Sequence, residues 1–339
     1  MKVTCYGPRG SLPAPSRKGF STVEFGGNTN CFFIEAGPFK VLVGCGSGAA
    51  TLGDALMEKW LADGNPAENF IVLLTHYHWD HIQGLPFCAP FYLGSNTVHF
   101  HGLRPSGLEG GGGGEHPKTV VEMMLSHQQS NPHFPVAHES LPAKKEYHSH
   151  DRQFSETFHY CSRLRGAVEH STHWPQSAGM HCSSVERNEL VGPEGRFKGK
   201  AVLKVVTVPL QHPNGCLGWV IEYMGKKVAF CYDMEPLRFP NQKMSKLAKG
   251  ADLLVLDGAY TEEQLQGDQQ GFGHGSPESC VEQAQDTGAD FCLIHHHDPK
   301  HDDAKLREME ARAQDYAGQA GFKGRVEFAR EGNVYDLGK

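Results

Sequence analysis

The stretch Leu73-Leu74-Thr75-His76-Tyr77-His78-Trp79-Asp80-His81-Ile82-Gln83-Gly84 restricts this chain more than any other. The apolar run Phe70 to Leu74 reads as a buried strand. It ends in three imidazoles and one carboxylate within six residues, and then a Gly. A strand delivers its last side chains to one sheet edge, and a tight turn can gather four ligands around a point. His76 and His78, one residue apart, can share one cation, and Asp80 and His81 then point to a second position nearby. Imidazole and carboxylate together suit Zn(II), and less exclusively Mn(II) or Fe(II).

The rest of the chain must supply a scaffold for that turn. Its 339 residues are 39% hydrophobic, enough for one large core. No apolar run reaches the roughly 18 residues of a membrane span. Met1-Lys2-Val3-Thr4-Cys5-Tyr6 opens as a strand and has no signal-peptide pattern. The ten Cys are scattered without a Cys-x-x-Cys pair, and several lie in apolar runs. These features make a reducing, cytoplasmic setting the expectation. A formal charge of −7 gives no basic footprint for bulk nucleic-acid binding.

Strands are expected at 1–6, Cys31–Ala36, Phe39–Val43 and Val98–Phe100, with Phe91 beside the last, and a helix at about Gly48–Ala62. A short helix is expected to start at Asp80. From about residue 103 the texture changes. Gly110 to Gly114 are five consecutive glycines. Acidic and basic residues balance at 11 each between Gly102 and Lys200, with ten His among them. Periodicity is poor apart from a helix near Lys118–Ser126. Residues 103–199 therefore read as an insertion or lid within a single domain spanning 1–339, and their His as surface or loop residues.

Regular spacing returns with strands Ala201–Leu210, Leu217–Tyr223, Lys227–Tyr232, Asp252–Leu256, Phe291–Ile294 and Arg325–Phe328. Helices are expected at Asn241–Lys249, from His274-Gly275-Ser276-Pro277-Glu278 to about Thr287, and at Asp302–Tyr316. His212, Asp233, His274 and the run His295-His296-His297 stand at the ends of these later strands. Strand alternation allows at most two of the three adjacent His to share a direction.

His-x-His-x-Asp-His directly after an apolar strand is the dinuclear-site signature of the metallo-β-lactamase superfamily, and this sequence resembles that superfamily. Arg9-Gly10-Ser11, Gly26-Gly27-Asn28-Thr29, Gly273-His274-Gly275-Ser276-Pro277-Glu278 and His296-His297-Asp298-Pro299 resemble its phosphodiesterase side. That side includes ribonuclease Z-like nucleases and cyclic-nucleotide phosphodiesterases. The resemblance covers roughly 1–101 and 201–335. It implies an α/β (α+β) fold, the four-layer αββα sandwich. It further implies that His76, His78 and His212 hold one metal, that Asp80, His81 and His296 hold the other, and that Asp233 bridges them. His296 is chosen over its neighbours by matching His-Asp-Pro at 297–299. His274 falls where relatives place a His beside the scissile phosphate. Gly44 is a departure: relatives commonly carry there an Asp that braces the metal loop.

The implied activity is hydrolysis of a small phosphodiester, a cyclic nucleotide first, by a hydroxide bridging two divalent ions, with Zn(II) expected and Mn(II) or Fe(II) as alternatives. Asp80 and His274 are the expected catalytic residues. Arg9, Asn28 and Thr29 could line the rim, though ordinary turn chemistry accounts for them equally well. Tyr77 and Trp79 are expected to pack under the loop. A ribonuclease Z-like endonuclease is the alternative, and it needs a basic arm for RNA. A non-catalytic binding protein on the same fold is a second alternative. A homodimer is expected from the resemblance alone.

Overall fold

Short runs of β-branched and aromatic residues, each cut off by Gly, Pro or Asn, pair into two sheets in the computed structural model, which describes residues 1–105, 119–163, 168–175, 200–235 and 242–338. The first sheet takes β1 (Lys2–Gly7), β2 (Cys31–Ala36), β3 (Phe39–Val43), β4 (Asn69–Leu73), β5 (Thr97–Leu103) and β6 (Lys144–His150). The second takes β7 (Glu156–Arg163), β8 (Val168–Pro175), β9 (Lys200–Leu210), β10 (Cys216–Tyr223), β11 (Lys226–Cys231), β12 (Leu253–Asp257), β13 (Phe291–His295) and β14 (Arg325–Phe328). A last strand, β15 (Val334–Asp336), returns to the first sheet. The strand orders are β15-β1-β2-β3-β4-β5-β6 and β14-β13-β12-β11-β10-β9-β7-β8.

Alternation along the strands builds three apolar layers. Phe32 and Ile34 on β2, with Val41 and Val43 on β3, face the second sheet and meet Trp219, Phe230 and Leu293. Cys31, Phe33 and Leu42 point the other way, onto Ala49, Leu52 and Leu56 of helix α1 (Gly48–Ala62). Two more helices, α2 (Trp79–Ile82) and α3 (Val120–Gln128), lie in this half, and Val121 and Leu125 of α3 join the same layer. Behind the second sheet, Leu254, Leu256, Cys292 and Ile294 pack on α4 (Gln242–Leu247), α6 (Pro277–Thr287) and α7 (Asp303–Ala320), which follow in chain order with the short α5 (Glu262–Leu265) between α4 and α6. Helix, sheet, sheet, helix is the four-layer order expected.

Parallel pairing decides where a site can form. β3 to β6 run parallel to one another, and so do β11 to β14. Their carboxyl ends, and the loops after them, gather at common edges.

The segment after 103 departs from expectation. Its described part is regular: β6 extends the first sheet, and β7 and β8 extend the second. The five-glycine run at 110–114 lies outside the described residues. Helix α3 starts two residues later than expected because Thr119 caps it, accepting from the backbone of Glu122. Phe91 belongs to a 3-10 turn, Ala89–Tyr92, not to a strand. Among the described residues no helix is long and apolar enough to cross a membrane.

Candidate metal centre

The loop after β4 is tied down by backbone bonds on three sides. Leu74 N donates to His101 O, Cys45 N to His81 O at 2.7 Å and Gly84 N to Cys45 O. Leu217 N donates to Thr75 O at 2.9 Å and links the loop to β10 of the other sheet. The loop then enters α2, whose first turn carries Asp80 and His81.

Residues far apart in sequence converge on this loop. His76, His78 and His212 bring one ligand atom each to within 4.8 Å of one another, and Asp80, His81, Asp233 and His296 do the same. Within the first group, His212 Nε2 lies 3.3 Å from His78 Nδ1. Within the second, His81 Nε2 lies 2.8 Å from Asp233 Oδ2 and 3.1 Å from Asp80 Oδ2, and His296 Nε2 lies 3.2 Å from Asp80 Oδ2. Asp233 also reaches the first group, 3.4 Å from His76 Nε2. All seven expected ligands are thus in one place, with Asp233 between the two groups.

The donor set fits divalent cations. Buried polar atoms normally have hydrogen-bond partners, yet His76 Nε2, His81 Nε2 and Asp233 Oδ1 are buried and make no hydrogen bond of proper geometry. These atoms belong to the residues that the two groups bring together. The opposite ring nitrogens are held from outside: His212 Nδ1 by Gly273 O at 3.0 Å, and His76 Nδ1 by Thr75 Oγ1 at 3.0 Å. Such contacts fix the ring and leave the inner nitrogen to ligate. Gly273 must be Gly for this contact, since its φ is +86° and a Cβ there comes within 2.3 Å of the His212 ring.

Electrostatics favour positive charge at the same point. Burial lowers the His76 and His78 imidazoles and keeps both neutral, the ligating form. Burial also opposes charge on His81, but Asp233 and Asp80 overcome it and raise it to about 10. For Asp233, burial pushes upward, yet His296 and His81 hold the carboxylate well below its usual range. Two carboxylates that stabilise imidazolium so strongly can equally stabilise a metal ion.

The three consecutive His separate cleanly. His295 ends β13 and points between the sheets, with Nε2 3.1 Å from Gly7 O. His297 stacks on Phe328 and holds Ala329 O at 2.9 Å. Only His296 faces the carboxylates, and it does so from a left-handed backbone, φ 63°. Asp233 shares that conformation, φ 55°. Left-handed non-glycine residues cost on the order of 1–3 kcal/mol and collect at functional sites.

His274 stands beside the second group, its ring stacked on His296 at 4.6 Å and 5.4 Å from that of His212. Its Nδ1 lies 2.6 Å from Asp257 Oδ2. Sequence reasoning missed Asp257, whose signal is the one Asp233 also gives: a carboxylate closing an apolar strand. It missed Asn30 as well. Asn30 Nδ2 lies 2.6 Å from His81 Nδ1, in space a Cβ at Gly44 would invade to 2.5 Å.

Other expectations need correction. Arg9 does not line a rim; it is fully buried, donating to the carbonyls of Gly26, Asp298 and His301. Asn28 and Thr29 are spent on Glu331 and Ser47, the turn-chemistry reading. Tyr77 packs inward and donates to Leu103 O, but Trp79 is 81% exposed rather than tucked under the loop. His138 and His150 are buried and hydrogen-bonded, not surface residues.

Comparison with known proteins agrees with this geometry. A family model described as "Metallo-beta-lactamase superfamily" matches residues 25–88, and one described as "Beta-lactamase superfamily domain" matches 148–297. The "Lactamase-like protein adaB" of Aspergillus niger is 38% identical over 58 residues, which span 17% of this chain and 18% of that protein. The fold is similar to that of the metallo-beta-lactamase fold protein YhfI from Bacillus subtilis, at 18% identity, TM-score 0.57 and 98% of both chains. It is also similar to human tRNase Z, short form, at 16% identity and TM-score 0.56 over 100% of both chains. A diphosphatase from the PhnP family matches at 14% identity and TM-score 0.54, over 99% of this chain and 97% of that one. The two family matches between them contain His76, His78, Asp80, His81, His212, Asp233 and His296, the residues the fold brings together, and the chain belongs to the metallo-β-lactamase superfamily.

Proposed function

We propose that this protein is a dinuclear metal-dependent hydrolase of small phosphodiesters, with cyclic nucleotides as the substrate class. The observation that carries the reading is His274, braced by Asp257 at 2.6 Å and stacked beside the two ligand groups. A superfamily site that only binds metal has no need of an eighth, oriented side chain, here a sixth imidazole. His76, His78 and His212 would hold one ion, Asp80, His81 and His296 the other, and Asp233 would reach both. When bound, such ions supply a hydroxide at neutral pH and neutralise charge on the phosphoryl oxygens. The chain's own residues do the rest. Asp257 accepts from Nδ1–H of His274 and orients the ring, so that in the imidazolium form Nε2–H can pass its proton to the leaving oxygen and the ring is left neutral with Nδ1–H still on Asp257. Ser11 N donates to Asp80 Oδ2 at 2.9 Å and sets the angle of that carboxylate.

Two observations support a small substrate over a long phosphate backbone: Arg9 is consumed internally, and the formal charge is −7. The fold likeness to a tRNase Z favours the endonuclease alternative. A turnover screen separates the readings: metal-reconstituted protein is offered 3′,5′-cyclic nucleotides, bis-p-nitrophenyl phosphate and a tRNA precursor. Cleavage of the first two alone supports the proposal. Processing of the precursor alone replaces it with the endonuclease, and inertness toward all three with Zn(II), Mn(II) or Fe(II) leaves a binding protein.

A further inference from the structure

We propose that His99, Glu146 and His148 form a separate site for one divalent transition-metal ion, of which Zn(II) is the test case. The argument starts from strand register. In the parallel pair β5–β6, His99 lies opposite Glu146, His101 opposite His148 and Leu103 opposite His150. Side chains two apart share a face. Leu103 belongs to the layer between the sheets, so these imidazoles also look inward, toward Phe158, Tyr160 and Trp219. His99, His101 and His150 are buried here, and His148 is half-buried.

In the inner half of this ladder, His101 and His150 engage each other and two residues of β7. His101 Nε2 lies 2.6 Å from Tyr160 Oη, His101 Nδ1 lies 2.9 Å from His150 Nε2, and His150 Nδ1 lies 2.8 Å from Glu156 Oε2. Those contacts engage both nitrogens of both rings. The outer half has a different geometry. One ligand atom each from His99, Glu146 and His148 falls within 4.8 Å of the others, and His99 Nδ1 lies 3.2 Å from Glu146 Oε2. Packing fixes the rings: His148 stacks on His101 at 4.3 Å and 14°, and His99 meets Tyr160 edge-on at 5.2 Å. Rigid ligands lose little entropy on binding an ion.

Two imidazoles and a carboxylate are a donor set for Zn(II). Glu146 is 36% exposed at its side chain, which gives an ion a way in and leaves a position for water. No residue is shared with the groups around His76 and His81. β6 is the edge of the first sheet, and an ion held between β5 and β6 clasps that edge to its neighbour. The competing account is a hydrogen bond between His99 and Glu146 with no ion, with Lys144 Nζ on the other carboxylate oxygen at 3.1 Å. Lys144 is 70% exposed, and such a pair holds a carboxylate only weakly.

Metal content distinguishes the two. Full-length protein is equilibrated in buffered nanomolar free Zn(II) and assayed by mass spectrometry for ions per chain. E146Q and H148A are each expected to hold one ion fewer than the unaltered protein, to hydrolyse bis-p-nitrophenyl phosphate at the unaltered rate, and to lose part of the Zn(II)-dependent rise in Tm. E146Q keeps size and shape, so it reads the site even where H148A disturbs packing on His101. Unaltered zinc content in both variants overturns the proposal and leaves the hydrogen bond. A variant of the other centre, H76A, must lower zinc content independently, so failure here does not bear on the proposed hydrolase.

Discussion

Asn30 reaches His81 through the space that Gly44 leaves open: its amide lies 2.6 Å from Nδ1, while the other ring nitrogen faces Asp233 and Asp80. A ligating Nε2 requires a proton on Nδ1, so the amide oxygen is the partner when a cation is bound, a 180° flip of a group whose O and N are interchangeable in outline. Gly44 has φ +76°, and a Cβ there would press on Asn30 at 2.5 Å. The side chain behind the His81 ring thus comes from the turn just before β2. N30A is therefore expected to weaken zinc affinity about 10- to 100-fold, the usual effect of losing a partner behind a ligand. G44D alone is expected to destabilise the fold by collision with Asn30. The pair N30A/G44D should recover part of both losses. Chelator competition and thermal melts on the cycle of four proteins measure the coupling, and strictly additive effects refute it.

His274 and Asp257 give a second prediction. H274A should lower kcat on a phosphodiester by about 10²- to 10⁴-fold, the range for a general acid, with zinc content unchanged. D257N keeps the shape but offers the wrong partner to Nδ1, so it should lower kcat and displace the pH–rate profile. A substrate whose leaving group needs no proton, such as a p-nitrophenyl ester, should be hurt less by either change. Equal losses on both kinds of substrate would falsify the proton-donor role.

How much of this was legible beforehand depends on where the residues lie along the chain. His76 to His81 form one local cluster, and His212, Asp233 and His296 each end a strand whose apolar run is plain in the sequence. The turn geometry was not legible: no spacing reveals that His296 adopts φ 63° while His295 and His297 turn to carbonyls of Gly7 and Ala329. The ladder of His99, His101, His148 and His150 was hidden for another reason. Its two strands are separated by the segment 104–143, and only the pairing of β5 with β6 brings them together. Arg9 reads as a loop residue open to a place on the rim, and its burial depends on three carbonyls, two of them nearly 300 residues away.

The three neighbouring His provide a direct test of the candidate ligand set. H296A is expected to lower zinc content and abolish turnover, because it removes a ligand between Asp80 and Asp233. H297A loses a buried hydrogen bond and a stack on Phe328, so it should cost about 1–3 kcal/mol of stability and leave zinc content intact. Denaturation in the presence of chelator and metal analysis of the same samples separate the two effects. Zinc lost from H297A but kept by H296A reverses the assignment.

Asp303 ties the loop that follows the first strand to the last long helix. At the start of α7 its carboxylate accepts from Ser21 Oγ at 2.6 Å, Glu24 N at 3.1 Å and Phe25 N at 3.1 Å. Burial pushes this carboxyl upward, but the hydrogen bonds from Ser21, Glu24 and Phe25 outweigh it and hold it below its ordinary value. A folded-state pKa below the unfolded one means that the unfolded chain binds the proton more readily. The stabilisation is then complete above the ordinary carboxylate range and is lost as pH falls through the folded value. D303N removes the charge while keeping the size, and is expected to cost about 2 kcal/mol at pH 7. The gap to the unaltered protein should close as pH drops below about 4. Urea denaturation with chelator at neutral and acid pH measures it, and a gap that stays constant or widens in acid shows that packing, not the charged acceptor, holds this loop.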